Sequence, residues 1–276
     1  MGWGYEKKEI SKNVSYTLMT KTEQRVTKLL EMLRVHQRVD VKTTTKALEI
    51  SEATARRLFA QLENDGDVIR VHGGVQLAPQ LGHDYSFRIS ALHRSEEKTH
   101  IGTVVAGMVA SHDRIFLDSG TTVLKLAEAL SLRIQAGHLE NLVVVTNSLT
   151  HIETLAKWCK VILIGGEIRI ERRDVCGPIA EKTLTIFHVD KAFLGADAIN
   201  LESGFMTTDE RTATICELVI ERADKVYVLA DSEKFNKTSF LPYAPLNRID
   251  TVFTDFGIAP EIVHTYTNAG AHIQIV

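Results

Sequence analysis

The 276-residue sequence predicts an α/β protein in two parts, a small N-terminal unit of helices with a two-stranded wing and a larger doubly wound α/β domain. In the first part, apolar residues recur at helical spacing, and two short β-branched segments then flank a glycine turn. In the second part, apolar β-branched segments alternate with amphipathic helical segments from about residue 95 onwards. Strands that are apolar on both faces and alternate with helices are typical of a largely parallel sheet.

The N-terminal part predicts three helices and a wing, which together make a winged helix-turn-helix. The first helix has an apolar face formed by Val26, Leu29, Leu30 and Leu33. A shorter helix follows at about Thr43 to Leu48, and the third begins after Ser51, whose hydroxyl can cap it, and ends at Asp65-Gly66. The buried stripe of the third helix is predicted to be Ala55, Leu58, Phe59 and Leu62. The wing spans Val68 to Leu77 and turns at His72-Gly73-Gly74.

The third helix and the wing carry side chains expected of a DNA-binding surface. Guanidinium groups bind phosphates or guanine edges, and small residues allow close approach to the major groove. The candidate DNA-binding residues are Ser51, Thr54, Arg56, Arg57, Gln61, Arg70 and His72. Two adjacent arginines alone would also fit a solvated helix, but here they accompany the turn, the stripe and the wing. Residues 21–77 have a net charge of only about +2, so we expect binding to double-stranded DNA to depend on dimerisation and shape as well.

The loops that follow the predicted strands of the second part carry the residues of a small-molecule site. Asp118-Ser119-Gly120-Thr121-Thr122 follows a strand and begins a helix, where free backbone N–H groups suit an anion such as phosphate. The other candidate ligand-binding residues, all at predicted strand ends or helix starts, are Thr146, Asn147, Gly165, Gly166, Asp197, Thr208, Asp209 and Lys234. Because the carboxyl ends of parallel strands share one edge, we expect a polyhydroxylated, phosphorylated ligand there. Each loop alone is also compatible with ordinary turn formation or helix capping.

These segments resemble the DeoR family of bacterial transcriptional regulators. In the N-terminal unit the resemblance lies in Ser51, Thr54, Arg56, Arg57, Arg70, His72, Gly73 and Gly74. In the second part it lies in D-S-G-T-T at 118–122, T-N at 146–147, G-G at 165–166, G-A-D at 195–197, T-T-D at 207–209 and A-D-S-x-K-F at 230–235. The resemblance implies a sensor domain similar in fold to ribose-5-phosphate isomerase that binds a sugar phosphate. It also implies a repressor of a carbohydrate-utilisation operon that its ligand releases from the operator.

Three departures from the family pattern are visible. Ala55 and Leu58 stand where isoleucine and aspartate are usual in the recognition helix. Losing that aspartate removes an orienting partner for an arginine. The third departure is Ala198-Ile199-Asn200, where members usually show glycine and then an acidic or hydroxyl residue.

A sugar-phosphate isomerase-like enzyme is the alternative interpretation, with Asp197, Glu210 and Lys234 as its proton-transfer groups. The related isomerases carry a D-G-A-D-E motif followed by a lysine and a glutamate. Here Leu194 and Ala198 replace two carboxylates of that motif, and no lysine lies between Ala198 and Glu210. We therefore expect binding without turnover, with no cofactor.

Composition and cysteine placement bear on whether the protein is a membrane or secreted protein and on whether it binds a metal. No apolar run approaches the roughly 20 residues of a membrane span, and the first twenty residues lack an apolar signal-peptide stretch, so we expect a cytoplasmic protein. Three scattered cysteines form no C-x-x-C pair, which favours reduced thiols and no metal site. We expect a homodimer or homotetramer. The predicted organisation is a flexible extension at 1–20, the DNA-binding unit at 21–77, a linker at 78–94 and the sensor and oligomerisation domain at 95–276.

Overall fold

The computed structural model describes residues 21–64, 66–77 and 87–276. The predicted N-terminal extension and residues 78–86 of the predicted linker lie outside the described residues. The chain divides into two compact units, residues 1–79 and 80–276.

The first unit contains the three predicted helices and the predicted wing. Its elements are, in chain order, α1 (Lys21–His36), β1 (Arg38–Asp40), α2 (Val41–Leu48), α3 (Glu52–Asn64), β2 (Val68–Val71) and β3 (Gly74–Leu77). The stripe predicted for α3 is buried as expected, with Ala55, Phe59 and Leu62 fully covered and Leu58 at 4% exposure. The predicted winged helix-turn-helix fold is therefore confirmed.

One strand of this unit was not predicted. β1 pairs antiparallel with β3, so that the wing is a three-stranded sheet in the order β1-β3-β2. Its three residues are too few to show an alternating pattern, and only Val39 among them is buried. Asp40, at its end, accepts a hydrogen bond from Thr43 N at 2.6 Å and thereby caps α2.

The two glycines of the wing turn have different structural roles. Gly73 has a φ of +78° and no atom within 4 Å of where a Cβ would lie, so it serves the turn conformation alone. Gly74 faces the backbone of β1, and a Cβ there would lie 2.2 Å from the Val39 carbonyl oxygen. The close approach of β1 to β3 therefore depends on Gly74.

We expect Gly74→Ala to destabilise the first unit by about 3 kcal/mol, because the added carbon would force β1 away from β3. Gly73→Ala is the matched control and should cost only about 1 kcal/mol, from backbone strain. Hydrogen exchange of the β1 and β3 amides in the full chain measures the free energy of local opening in each variant. Equal costs for the two variants would contradict the assignment of Gly74 to strand packing.

The second unit is built around a seven-stranded sheet. Its elements are, in chain order, α4 (Phe87–Leu92), α5 (Ser95–Ala106), β4 (Arg114–Leu117), α6 (Thr121–Gln135), β5 (Val143–Thr146), α7 (Leu149–Leu155), β6 (Lys160–Leu163), β7 (Glu167–Arg169), β8 (Asp174–Cys176), α8 (Pro178–Leu184), β9 (Val189–Gly195), β10 (Ala198–Asn200), β11 (Gly204–Thr207), α9 (Glu210–Glu221), β12 (Ala223–Leu229), β13 (Leu241–Ala244), β14 (Thr251–Thr254), α10 (Pro260–Asn268) and β15 (Ile273–Ile275). The large sheet has the order β15-β14-β12-β9-β4-β5-β6, and all its neighbours are parallel.

Successive residues of the central strands enter two separate hydrophobic clusters. Phe116, Ala192 and Leu194 belong to the cluster that contains residues of α8, α9 and α10, whereas Ile115 and Phe193 belong to the cluster that contains residues of α5 and α6. Since successive side chains of a strand point to opposite faces, helices cover both faces of the sheet. The predicted doubly wound α/β fold is confirmed.

The structure adds three features to the predicted second domain. β7 and β8 form a hairpin, and β10, β11 and β13 form a small antiparallel sheet. The third feature corrects the predicted linker, because Phe87–Leu92 within it is the helix α4. Phe87 is buried, and its N–H donates to the Glu171 carbonyl at 3.0 Å, so this part of the segment packs on the domain.

Candidate DNA-recognition surface and ligand cleft

The exposed side of α3 carries most of the predicted DNA-binding residues. Ser51 accepts from Thr54 N at 3.3 Å, as expected of a cap. Arg56 and Arg57 are both exposed, and they point about 100° apart because the helix has 3.6 residues per turn. Arg57 shares its side of the helix with Thr54 and Gln61, three and four residues away. The Arg56 side chain lies 3.8 Å from Glu52, and the Arg56 carbonyl accepts from Arg70 of the wing.

The wing residues differ from the prediction in their surroundings. Arg70, which we expected to be available to phosphates, donates to Glu63 Oε2 at 3.0 Å and to the Arg56 carbonyl at 3.2 Å. Its guanidinium also lies 5.8 Å from the centre of the Phe59 ring. Arg70 therefore connects the wing to α3, and its contact with phosphate stays a prediction. His72 is exposed at the turn.

The ligand cleft lies at the carboxyl edge of the parallel sheet and encloses about 620 Å³ of empty space, part of it open to solvent. Seven of the predicted effector residues line it: Asp118, Ser119, Gly120, Thr121, Thr122, Asp197 and Lys234. They come from loops after β4, β9 and β12, which the parallel order brings to one edge. The residues of the cleft that the sequence prediction did not include are Ser90, Lys98, Arg172, Gly195, Ala196, Thr207, Thr212, Cys216 and Leu229.

The start of α6 forms one wall of this cleft. The helix begins after Gly120, which has no side chain to cap it, and the first N–H groups of any helix have no acceptor within the helix. Lys98 Nζ lies beside this end, 3.0 Å from Thr121 Oγ1 and 2.6 Å from the Ser90 carbonyl oxygen. Lys98 is only 3% exposed. A buried ammonium group beside a helix N-terminus is a favourable environment for an anion.

Two carboxylates face the same cleft. Asp197 is held by Oδ2, which accepts hydrogen bonds from Thr207 Oγ1, Thr208 N and Thr208 Oγ1 at 3.0–3.2 Å. Asp118 Oδ2 accepts from Gly195 N at 3.2 Å, whereas its buried Oδ1 has no hydrogen-bond partner among the described residues. Burial raises the pKa of the Asp118 carboxyl above its usual range. A ligand hydroxyl would supply the donor that Oδ1 lacks.

Six predicted effector residues do not line the cleft, and their contact with a ligand stays a prediction. They are Thr146, Asn147, Gly165, Gly166, Thr208 and Asp209. Some support residues that do line it, since Thr208 holds Asp197 and Asn147 Nδ2 lies 3.5 Å from Ser119 Oγ. Lining residues and supporting residues both occur at the carboxyl ends of strands. The sequence alone therefore does not show which of them face the cleft.

Asp209 has two structural roles outside the cleft wall. It caps α9 by accepting from Thr212 N at 2.9 Å, and it pairs with Arg169 at 2.5 Å. Although burial alone would raise its pKa, the hydrogen bonds from Arg169 and Thr212 hold the pKa of Asp209 below its usual range. Arg169 also pairs with the buried Asp174 at 2.7 Å, so it joins the β7–β8 hairpin to the start of α9.

Gly166 closes the base of the β7–β8 hairpin. It has a φ of +126°, and a Cβ there would lie 2.5 Å from the Cys176 carbonyl oxygen. The glycine is thus explained by backbone approach within the hairpin.

Two further residues differ in their burial. His151 is fully buried beside Thr146 Oγ1 at 3.1 Å, and burial lowers its pKa to about 3. Glu210, a candidate acid of the enzyme alternative, is exposed at the start of α9 and does not line the cleft.

The described part of the chain holds no group of three His, Cys, Asp or Glu residues arranged for a metal ion. None of its helices has the length and apolar character required to span a membrane.

Both units of the chain match known protein families. Residues 93–256 match the DeoR C terminal sensor domain, and residues 25–80 match the DeoR-like helix-turn-helix domain. The transcriptional repressor AccR of Agrobacterium fabrum is 34% identical over 86% of this chain and 90% of its own length. The HTH-type transcriptional repressor GlcR of Bacillus subtilis is 33% identical over 84% of this chain and 88% of its own length.

Among solved structures, ribose 5-phosphate isomerase A of Methanocaldococcus jannaschii aligns with 51% of this chain and 54% of its own, at 18% identity and a TM-score of 0.39. The sensor-domain match covers more than half of the sequence, and the helix-turn-helix match covers the unit that carries the predicted recognition helix. The chain therefore belongs to the DeoR family and is a transcriptional regulator rather than an enzyme.

Proposed function

We propose that this regulator represses a carbohydrate-utilisation operon in the cytoplasm and that a phosphorylated sugar bound in the sensor cleft releases it from its operator. The observation that carries the proposal is the buried Lys98 ammonium group beside the uncapped start of α6. An ammonium group and the free N–H groups at a helix start are both donors that bind the oxygens of a phosphate.

The charges of the cleft support a ligand with two chemically different ends. Lys98, Arg172 and Lys234 supply positive charge for a phosphate. Asp118 and Asp197 supply acceptors for hydroxyl groups, and the partnerless Oδ1 of Asp118 needs a donor. A sugar phosphate has both ends, whereas inorganic phosphate has only one. We therefore expect a sugar phosphate to bind more tightly than phosphate alone.

The repressor part of the proposal is supported by the relatives named as transcriptional repressors and by the exposed stripe on α3. We propose that Thr54, Arg57 and Gln61 contact base edges in the major groove and that Arg56 contacts the phosphate backbone near the wing. The net charge of about +2 on residues 21–77 gives weak attraction for a single copy. A homodimer or homotetramer would bind two half-sites at once and gain affinity by that route.

The proposal is tested with an operator selected from random DNA by the full-length protein. We expect one member of a panel of pentose and hexose phosphates to raise the melting temperature of the protein and to release the selected operator in a gel-shift titration. Thr121→Val should raise the concentration needed for release about tenfold, since it removes one hydroxyl of the cleft. Thr99→Val, at an exposed position of α5, is the matched control and should leave release unchanged.

A panel in which no sugar phosphate shifts the melting temperature or releases the operator would contradict the sensor part of the proposal. Failure to select any DNA sequence would contradict the repressor part.

A further inference from the structure

A group of exposed isoleucines lies on the β7–β8 hairpin and on α8 with the turn that follows it. Among the described residues, six large apolar side chains are more than half exposed, and four of them are isoleucines within residues 168–186. These four are Ile168, Ile170, Ile179 and Ile186, with exposed fractions of 58–76%, and together they are termed the isoleucine patch. A single exposed apolar residue is ordinary, whereas a group of them marks an interaction site.

The two elements that carry the isoleucine patch are neighbours. A Cβ at Gly166, at the base of the hairpin, would lie 3.1 Å from Ala180 Cβ of α8. Ile168 and Ile170 are two residues apart, which is the spacing of side chains on one face of a strand.

The two isoleucines of α8 also share one side of their element. Ile179 and Ile186 are seven residues apart, which corresponds to about two helical turns. The chain keeps turning past the end of α8, because the Ile186 N–H donates to the Thr183 carbonyl oxygen at 3.2 Å. The patch therefore consists of two pairs of isoleucines on adjacent elements.

The isoleucine patch serves neither the ligand cleft nor the core of the sensor domain. None of its four members lines the cleft, and none belongs to either hydrophobic cluster. α8 is anchored by its other side, where Ala180 and Leu184 are buried in the core. The fold of one copy therefore gives no reason for the four exposed isoleucines.

The charges around the patch fit a second copy of this chain as the partner. Residues 167–188 contain four acidic and four basic side chains, so their net charge is zero. DNA and anionic membranes attract surfaces with an excess of positive charge, which this segment lacks. In a two-fold interface the same surface meets itself, and a segment of zero net charge does so without net repulsion.

The exposed area of the patch also suits a dimer. A standard interface covers about 800 Å² on each partner, and the four isoleucines alone supply roughly half of that area. Homodimer interfaces are more apolar than the rest of a protein surface. An aliphatic centre of this size is therefore sufficient to begin a stable contact between two copies.

We propose that the isoleucine patch is the surface through which two copies of the sensor domain associate. This inference rests on the proposed function for the presence of a second copy, since binding to two half-sites requires one. It adds to that function the surface that joins the copies.

The test is sedimentation of the full chain carrying the double substitution Ile170→Lys and Ile179→Lys. We expect the Kd of self-association to rise at least about 100-fold, because the interface would have to bury four ammonium groups of like charge. If the parent is a tetramer, the double variant should stop at the dimer. Both positions are exposed, so the circular dichroism spectrum should match that of the parent. Ile186→Ser, which adds no charge, should raise the Kd about tenfold.

The matched control is the double substitution Leu132→Lys and Phe256→Lys. It adds the same charges at exposed apolar positions outside the patch and should leave self-association unchanged. Unchanged self-association in the patch variants, or an equal loss in the patch and control variants, would overturn this assignment. A parent that sediments as a monomer at concentrations at which it occupies its operator would overturn it as well.

The patch variant also separates this inference from the proposed function. Because the patch lies outside the cleft and outside the DNA-binding unit, the variant should bind the effector sugar phosphate with the affinity of the parent. Its operator affinity should fall about 100-fold, since each molecule then binds a single half-site. Full operator affinity in a monomeric variant would contradict binding by two joined copies. Absence of any sugar phosphate that binds the parent would contradict the sensor part of the proposed function and leave the patch assignment intact.

Discussion

Replacing Lys98 with methionine should weaken binding of the effector sugar phosphate on the order of 100- to 1000-fold. Methionine keeps the length and the apolar stem of the side chain, so the change removes mainly the charge. A buried ammonium paired with a phosphate is expected to contribute about 2–5 kcal/mol to binding, since neither group is screened by water. Calorimetry with the sugar phosphate that stabilises the parent protein most measures the loss directly.

Lys125→Met is the matched control for this prediction. Lys125 lies on α6 itself but pairs with Glu128 at 2.9 Å and does not line the cleft. Its loss should change sugar-phosphate affinity less than about twofold, because surface ion pairs contribute little. Affinity is the readout rather than operator binding, because Lys98 also holds Ser90 of α4. Equal affinities of Lys98→Met and the parent would exclude the phosphate position proposed here.

Replacing Arg57 with alanine should weaken operator binding about 10- to 100-fold and relax discrimination at one base pair of each half-site. Arg57 is exposed on the same side of α3 as Thr54 and Gln61, and a bidentate arginine contact to a base is worth about 1–3 kcal/mol. Arg56→Ala should weaken binding to all sequences alike and lower the salt dependence of affinity, as expected of a phosphate contact. Gel-shift titrations against the selected operator and its point variants separate the two outcomes.

Lys28→Ala controls for the loss of one positive charge from the same unit, since Lys28 is exposed and belongs to α1 and not to α3. It should reduce operator affinity only slightly. If Arg57→Ala and Lys28→Ala had the same effect on affinity and on base preference, α3 would not be the recognition helix.

The large sheet was predictable because a strand buried on both faces leaves a continuous apolar signal. The strand predicted to precede Asp118 is present as β4, and the polar loops after the parallel strands share one edge of the sheet. Short elements gave no such signal. β1 contains three residues, and Phe87 is the one buried residue of α4. Tertiary contacts, rather than local periodicity, determine both elements.

The cleft was only partly predictable, since residue type indicates the ordinary environment of a side chain and not its position in the fold. A lysine on an amphipathic helix is expected to face water, yet Lys98 is buried at the start of α6. Thr146 ends β5 and Asn147 follows it, just as Asp118 follows β4, but neither of them lines the cleft. Which strand-end residue reaches the ligand depends on side-chain packing that spacing along the sequence does not encode.

The three contacts of Arg70 make the wing and the recognition helix one rigid body. Its guanidinium is fixed by the Glu63 carboxylate, the Arg56 carbonyl and the Phe59 ring, so neither part can tilt without the other. The bases that each copy prefers should therefore be the same with and without effector. If two copies bind two half-sites as proposed, an effector would change the distance and phase between those half-sites. Operators with altered spacers should then reveal the induced state, and operators with altered half-sites should not.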